Sequence, residues 1–169
     1  MNGTDEILAA DLIDMQAFSK DNNVIQYLLT VIDIFSKFLW IIPLKRKSGQ
    51  KVANALWRIL KEWRPSKIWV DKGREFYNKE VQKLVELYST ESEAKSCVIE
   101  RFNRTIEEKM FTYLSANDTR EFVDVLDLLV AQYNHTIHLP IKITPKEASR
   151  KENENKVWRN IYPEFYGKT

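Results

Sequence analysis

The chain has a single cysteine, no long apolar run, no internal repeat or low-complexity tract, and almost no excess of one charge. Each shortage excludes something. Cys97 alone cannot form an internal disulfide or build a Cys-rich zinc module, and it reads as a small buried apolar side chain suited to a reducing compartment. Nothing approaches the roughly 18 consecutive apolar residues that suggest a membrane span. The opening Met1-Asn2-Gly3-Thr4-Asp5-Glu6 lacks the basic and apolar regions of a signal peptide. The expectation is therefore an intracellular soluble protein, nuclear or cytoplasmic, with no membrane partner. With 26 Lys and Arg against 24 Asp and Glu, the net charge is +2, so a nucleic-acid partner has to be held by local clusters and not by overall attraction.

What is present suits one domain: a chain of 169 residues buries roughly 68–70% of its unfolded surface. Ile7-Leu8-Ala9-Ala10-Asp11-Leu12-Ile13-Asp14-Met15 reads as a central strand interrupted by two acids. Tyr27-Leu28-Leu29-Thr30-Val31-Ile32-Asp33 is a second strand. Phe38-Leu39-Trp40-Ile41-Ile42-Pro43-Leu44 returns as a third, with Pro43 where an edge strand tolerates one. Short turns between them predict an antiparallel meander. Val52, Leu56, Ile59, Leu60 and Trp63 then recur at helical spacing and end at Arg64-Pro65. This helix crosses over to a fourth, parallel strand at 67–71. A second helix is expected over 78–88 from Val81, Leu84, Val85 and Tyr88, then a polar loop from Ser89 to Ala94. A third helix is expected from Ser96 or Cys97 to Leu114. A fourth follows, capped from Asn117-Asp118-Thr119, with Phe122, Val125, Leu126, Leu129 and Tyr133 inward. A short fifth begins at Thr144-Pro145.

The chemistry concentrates in two places. Lys67-Ile68-Trp69-Val70-Asp71-Lys72-Gly73 is a short apolar run delivering a carboxylate to the C-terminal edge of the sheet, where α/β folds bind ligands. On the third helix Ile99, Phe102, Ile106, Met110 and Tyr113 form one stripe, while Glu100, Asn103, Arg104, Glu107 and Phe111 form another that is available for function. Read singly, these residues have ordinary explanations. Asp71 before Gly73 can be a turn residue, Glu100 a solvated helix acid, and Lys45-Arg46-Lys47 a solvated loop. In the first strand Asp11 and Asp14 face opposite ways, so only one of them can serve a site. His135 and His138 have zinc-like spacing but no cysteine partner, which favours a structural role.

Taken together and in order, several segments resemble the catalytic core of retroviral-type integrases, with the closest likeness to the Maverick/Polinton and retroelement branch. They are Ala10-Asp11-Leu12-Ile13-Asp14-Met15-Gln16, the 27–37 stretch ending Asp33-Ile34-Phe35-Ser36-Lys37, Asp71-Lys72-Gly73-Arg74-Glu75-Phe76, Val98-Ile99-Glu100-Arg101-Phe102-Asn103-Arg104-Thr105, and Tyr133-Asn134-His135 with Thr144-Pro145. The resemblance implies an α/β, ribonuclease-H-like fold, a mixed sheet of three antiparallel strands plus a parallel one flanked by helices. It also implies a triad of Asp11, Asp71 and Glu100 that binds Mg²⁺ or Mn²⁺ as a two-metal site. Such ion pairs, about 3.5–4 Å apart, serve in-line phosphoryl displacement. The implied function is DNA integration, by 3′-end processing and strand transfer, in a core derived from a transposable element. Its implied partners are DNA, contacted through Asn103, Arg104 and Lys72, and a second copy in a homodimer.

The chain also departs from the family pattern. Asp71 and Glu100 enclose 28 residues, several fewer than the family usually keeps, and the deficit maps near Leu84 to Ser89, where relatives place a short edge strand. Leu8 stands where a Trp is common, and Lys72 where an Asn is common. An alternative expectation is therefore an impaired, domesticated or truncated core that binds nucleic acid or dimerises, and a third is a ribonuclease-H-type nuclease. The expected layout is a catalytic core over 1–152 and a polar C-terminal extension over 153–169.

Overall fold

The computed structural model describes residues 6–71, 73–84, 86–88 and 93–165. Strands β1 (Ile7–Asp14), β2 (Tyr27–Asp33) and β3 (Leu39–Leu44) form the antiparallel meander, joined by a 3-10 turn at Gln16–Asp21 and a tight turn after Asp33. That second turn is closed by the buried Asp33 carboxylate, which accepts the Ser36 backbone N–H at 2.9 Å. Helix α1 (Gly49–Leu60) crosses over to β4 (Lys67–Trp69), which pairs parallel to β1. With a fifth strand, β5 (Glu86–Tyr88), beyond β4, the sheet order is β3-β2-β1-β4-β5, so β1 lies at its centre. β2 is buried along its whole length, and the exposed Pro43 sits on edge strand β3, where a missing N–H costs no ladder bond.

One segment differs from the expectation. The stretch read as a single helix over 78–88 contains only a short helix α2 (Lys79–Gln82) and then a strand, β5 (Glu86–Tyr88), parallel to β4. The side chain of Asn78 caps α2 by accepting from Glu80 N and Val81 N, each at 3.1 Å. Val81 is fully buried under α1, so the helical spacing was real for one turn only. The mixed sheet thus keeps an edge strand despite the short spacing between Asp71 and Glu100.

Helix α3 (Glu93–Ala116) begins earlier than expected, and α4 (Val123–Asn134) follows. They cover one face of the sheet, burying Ile99, Phe102, Ile106, Met110, Phe122 and Leu126 against Ala9, Ile13 and Ile32. α1 covers the other, with Val52, Leu56 and Ile59 against Leu8, Ala10 and Val31. The alternation along β1 therefore splits its side chains between two cores. The start of α4 is not capped by 117–119. Instead the buried Asn22 Oδ1 accepts the N–H groups of Phe122 (2.7 Å) and Val123 (3.2 Å), while its Nδ2 donates to Phe18 O and Arg120 O. At the other end of α4 the buried Asn134 amide pairs with both backbone groups of Leu39, each at 3.0 Å. Helix α5 (Pro145–Ala148) carries a Thr144–Glu147 capping box. In the stretch read as a polar extension, α6 (Glu154–Ile161) buries Val157 against Phe35, Ile141, Ile143 and Ala148.

Candidate catalytic and metal-binding site

Asp11 lies on the same face of β1 as Ala9 and Ile13, beneath α3. Asp14 points the other way, is exposed, and is spent locally on Gln16, accepting its backbone N–H and its Nε2 at 2.9 Å each. Parallel register brings the second acid alongside. Ala9 pairs with Trp69 in the last rung of the β1–β4 ladder, and two residues beyond that rung stand Asp11 on one strand and Asp71 on its neighbour. Adjacent strands are about 4.8 Å apart, so equal steps from a shared rung leave the two positions side by side. Asp71 is exposed.

Helix α3 supplies the remaining groups. Ile99, Phe102 and Ile106 anchor it in the core, which turns Asn103 toward β1 and leaves Glu100 and Arg104 exposed. Asn103 Nδ2 donates to Asp11 Oδ2 at 2.7 Å, and the other carboxylate oxygen, Oδ1, accepts the Leu12 backbone N–H at 2.8 Å. Asn103 Oδ1 in turn accepts the hydroxyl of Thr30 at 2.8 Å, and Thr30 Oγ1 also lies 3.2 Å from the Asp11 carbonyl. Thr30 is directly opposite Asp11 in the β1–β2 ladder.

Electrostatics tie the acids together. Burial pushes the Asp11 carboxyl above the usual range, and the charges of Asp71 and Glu100 push it further; the hydrogen bonds from Leu12 and Asn103 pull the other way. Glu107, one helical turn beyond Asn103, is raised by burial and by the charge of Asp11. Asp11 thus feels both acids of the expected triad, and its own charge reaches Glu107. Among the described residues no group of three or more acidic, histidine or cysteine side chains is drawn close enough to hold an ion. The donor chemistry nonetheless fits a hard divalent cation: an ionised carboxylate has about four acceptor positions, and hydrogen bonds occupy only part of that capacity at Asp11.

The expected DNA contacts divide three ways. Arg104 is exposed on α3. Asn103 is only 8% exposed and its amide is engaged at both ends, so it serves the interior of the site and not a solvent-facing phosphate. Lys72 lies outside the described residues. His135 and His138 are placed structurally: His135 Nδ1 lies 2.6 Å from Ala131 O, and the His138 ring packs edge-on to Tyr133 at 4.4 Å. Two participants went unassigned in the sequence. Thr30 could have been found only from the β1–β2 register, and Glu107 stood on the Glu100 stripe without a role.

Comparison with known proteins agrees with this architecture. The sequence pattern of the integrase core domain matches residues 5–94. A transposon-derived, uncharacterized protein of Caenorhabditis elegans is 38% identical over 143 residues, covering 80% of this chain; the chain spans about half, 50%, of that relative's length. Among solved structures, a chain of the simian T-cell lymphotropic virus intasome, in complex with a PP2A regulatory subunit, B56 gamma, superposes with a TM-score of 0.76 at 18% identity, covering 89% of this chain and 56% of that one. The HTLV-2 integrase catalytic core domain, in complex with magnesium, gives a TM-score of 0.69 at 15% identity, covering 86% of this chain and 97% of that one. The fold is the ribonuclease-H-like mixed sheet shared with those cores.

Proposed function

Because the chain belongs to the integrase core domain family, we propose that it is a DNA-integration core catalysing metal-dependent phosphoryl transfer, with Asp11, Asp71 and Glu100 as the metal ligands. The observation that carries this reading is the electrostatic convergence of Asp71 and Glu100 on the half-buried Asp11. Bound Mg²⁺ or Mn²⁺ in a two-metal site would supply an activated water or DNA 3′-hydroxyl and stabilise the leaving oxygen. The chain's own residues do the rest. Asp11 is held in one orientation by Leu12 N–H and Asn103, so the fixed ligand of the set is formed before any ion arrives. Asp71, just beyond β4, and Glu100, on α3, are both exposed and would complete the set that holds the ion. Arg104, exposed on the same helix, would pair with a DNA phosphate, as the guanidinium fork favours. The magnesium complex of the HTLV-2 core supports the choice of metal.

The test is 3′-end processing, strand transfer and joining of branched DNA ends with Mn²⁺, measured for the wild type and for Asp71→Asn. Abolition by the substitution is expected, and activity that survives it overturns the assignment. Cleavage of an RNA–DNA hybrid in place of DNA joining would instead mark a ribonuclease-H-type nuclease. A second reading, a non-catalytic module that binds nucleic acid or dimerises, is favoured by the 28 residues between Asp71 and Glu100. Mn²⁺ binding that saturates and depends on Glu100 rules against it. A homodimer is the proposed assembly, and sedimentation of the isolated chain that stays monomeric at micromolar concentration removes it.

A further inference from the structure

We infer that Thr30 is a positioning residue for the metal site: its hydroxyl fixes the Asn103 amide so that the NH₂ end, and not the oxygen, faces the Asp11 carboxylate. The inference rests on the proposed role of Asp11 as a metal ligand, and nothing in the sequence motifs points to Thr30.

An asparagine amide can present either end to a neighbour, and the two orientations have nearly the same shape. Against a carboxylate only the NH₂ end is attractive, and the oxygen end then needs a donor of its own. In this fold that donor is Thr30. It is fully buried, as a β-branched residue on the all-buried strand β2 should be, and its hydroxyl reaches Asn103 Oδ1 at 2.8 Å. Asn103 is itself only 8% exposed, so water has little access to replace the hydroxyl. The chain of contacts runs from β2 through α3 back to β1: Thr30 Oγ1 to Asn103 Oδ1, then Asn103 Nδ2 to Asp11 Oδ2 at 2.7 Å. Thr30 and Asp11 are rung partners in the ladder, so the same backbone register sets both ends of this loop. A ligand whose orientation is fixed beforehand binds its ion more tightly, and disturbing such supporting contacts typically costs about 10–100-fold in metal affinity.

The experiment uses the full chain with Thr30→Val and Thr30→Ser, Val being close to Thr in size but without the hydroxyl. Mn²⁺ affinity is measured by calorimetry well below each variant's unfolding temperature. The Asn103 side-chain amide is followed by ¹⁵N–¹H NMR without metal. The expected result is an affinity at least about tenfold weaker for Thr30→Val, together with a shift or broadening of the Asn103 amide signal, while Thr30→Ser retains wild-type behaviour in both. Loss through general destabilisation would not be rescued selectively by Ser, and would not single out the Asn103 signal. Wild-type affinity in Thr30→Val, or an unmoved Asn103 signal, overturns the inference. If the wild type itself binds no Mn²⁺, the proposed function fails, and an unmoved Asn103 signal in Thr30→Val would separately defeat the positioning role.

Discussion

Asp11 stands in the middle of an eight-residue central strand with both carboxylate oxygens hydrogen-bonded, whereas Asp71 follows a three-residue strand and Glu100 sits exposed on the N-terminal third of α3. One half of the site is therefore built into the core, and the other stands at its surface. The difference separates residues that the fold needs from residues that only the proposed chemistry would need. Changes to the built-in half should cost stability even without metal, while changes to the surface half should show mainly when metal is present.

The largest effect is expected from the packing that seats the built-in half. Ile106 is fully buried one turn from Asn103 and fixes α3 against the sheet. Ile106→Ala should lower the unfolding free energy by about 2–5 kcal/mol, read by urea denaturation, and loosen Asn103 from Asp11 with it. A cost below about 1 kcal/mol would mean that α3 is not held by this core. Next comes Asn103→Leu, which keeps approximate bulk but leaves Asp11 Oδ2 without its donor and the Thr30 hydroxyl with only the longer contact to the Asp11 carbonyl. A buried group left without its partner costs about 1–3 kcal/mol, so this variant should be destabilised before any metal is added. Equal stability would show that the Asn103 contacts contribute nothing net, and the contrast between the halves would collapse.

A subtler signature is the pH dependence of stability. Asp11 is raised above its ordinary value of 3.8, mainly by burial and then by Asp71 and Glu100, and Glu107 is raised by burial and by Asp11. The native state therefore holds these protons more tightly than the unfolded chain does. Stability should be greatest while both states are protonated and should fall as pH rises from the ordinary carboxylate range through the raised native values. Asp11→Asn should flatten that fall, whatever it does to the absolute stability. A wild-type curve that instead rises with pH across this window, with the variant unchanged in slope, would show that the acids do not repel as the geometry implies.

Much of this contrast was legible in the sequence, and the exceptions have physical causes. Alternation along β1 already separated Asp11 from Asp14, because side chains on a strand change face at every residue. The strand expected at 67–71 places Asp71 at a strand end, and the paired strand stops two residues short of it, at Trp69. The 78–88 segment was misread because one turn of helical spacing around Val81 continued into residues that become β5, and an edge strand of three residues is defined by its hydrogen-bonding neighbour more than by its own composition. The cap of α4 was missed for a related reason: Asn22 lies 100 residues from Phe122, beyond any local pattern. Thr30 and the inward turn of Asn103 depend on β register and helix docking, both properties of the assembled fold. A polar residue on a helix announces neither burial nor partner until its helix is seated.

The smallest effect on the metal-free protein, and the one that most directly separates the two halves, is expected at Glu100. It is exposed on α3, and substitutions at such positions usually change stability by no more than about 0.5 kcal/mol. Glu100→Gln also keeps the side chain's size, so its metal-free unfolding curve should overlay that of the wild type. An ion that binds only the native state stabilises it by RT ln(1 + [L]/Kd), about 2.7 kcal/mol when the free ion is at a hundredfold excess over the dissociation constant. Wild-type protein should therefore gain stability on Mn²⁺ titration, and Glu100→Gln should lose most of that gain while its metal-free baseline stays put. If the variant gains as much as the wild type, Glu100 is a solvated helix acid, and the site is confined to what the strands hold.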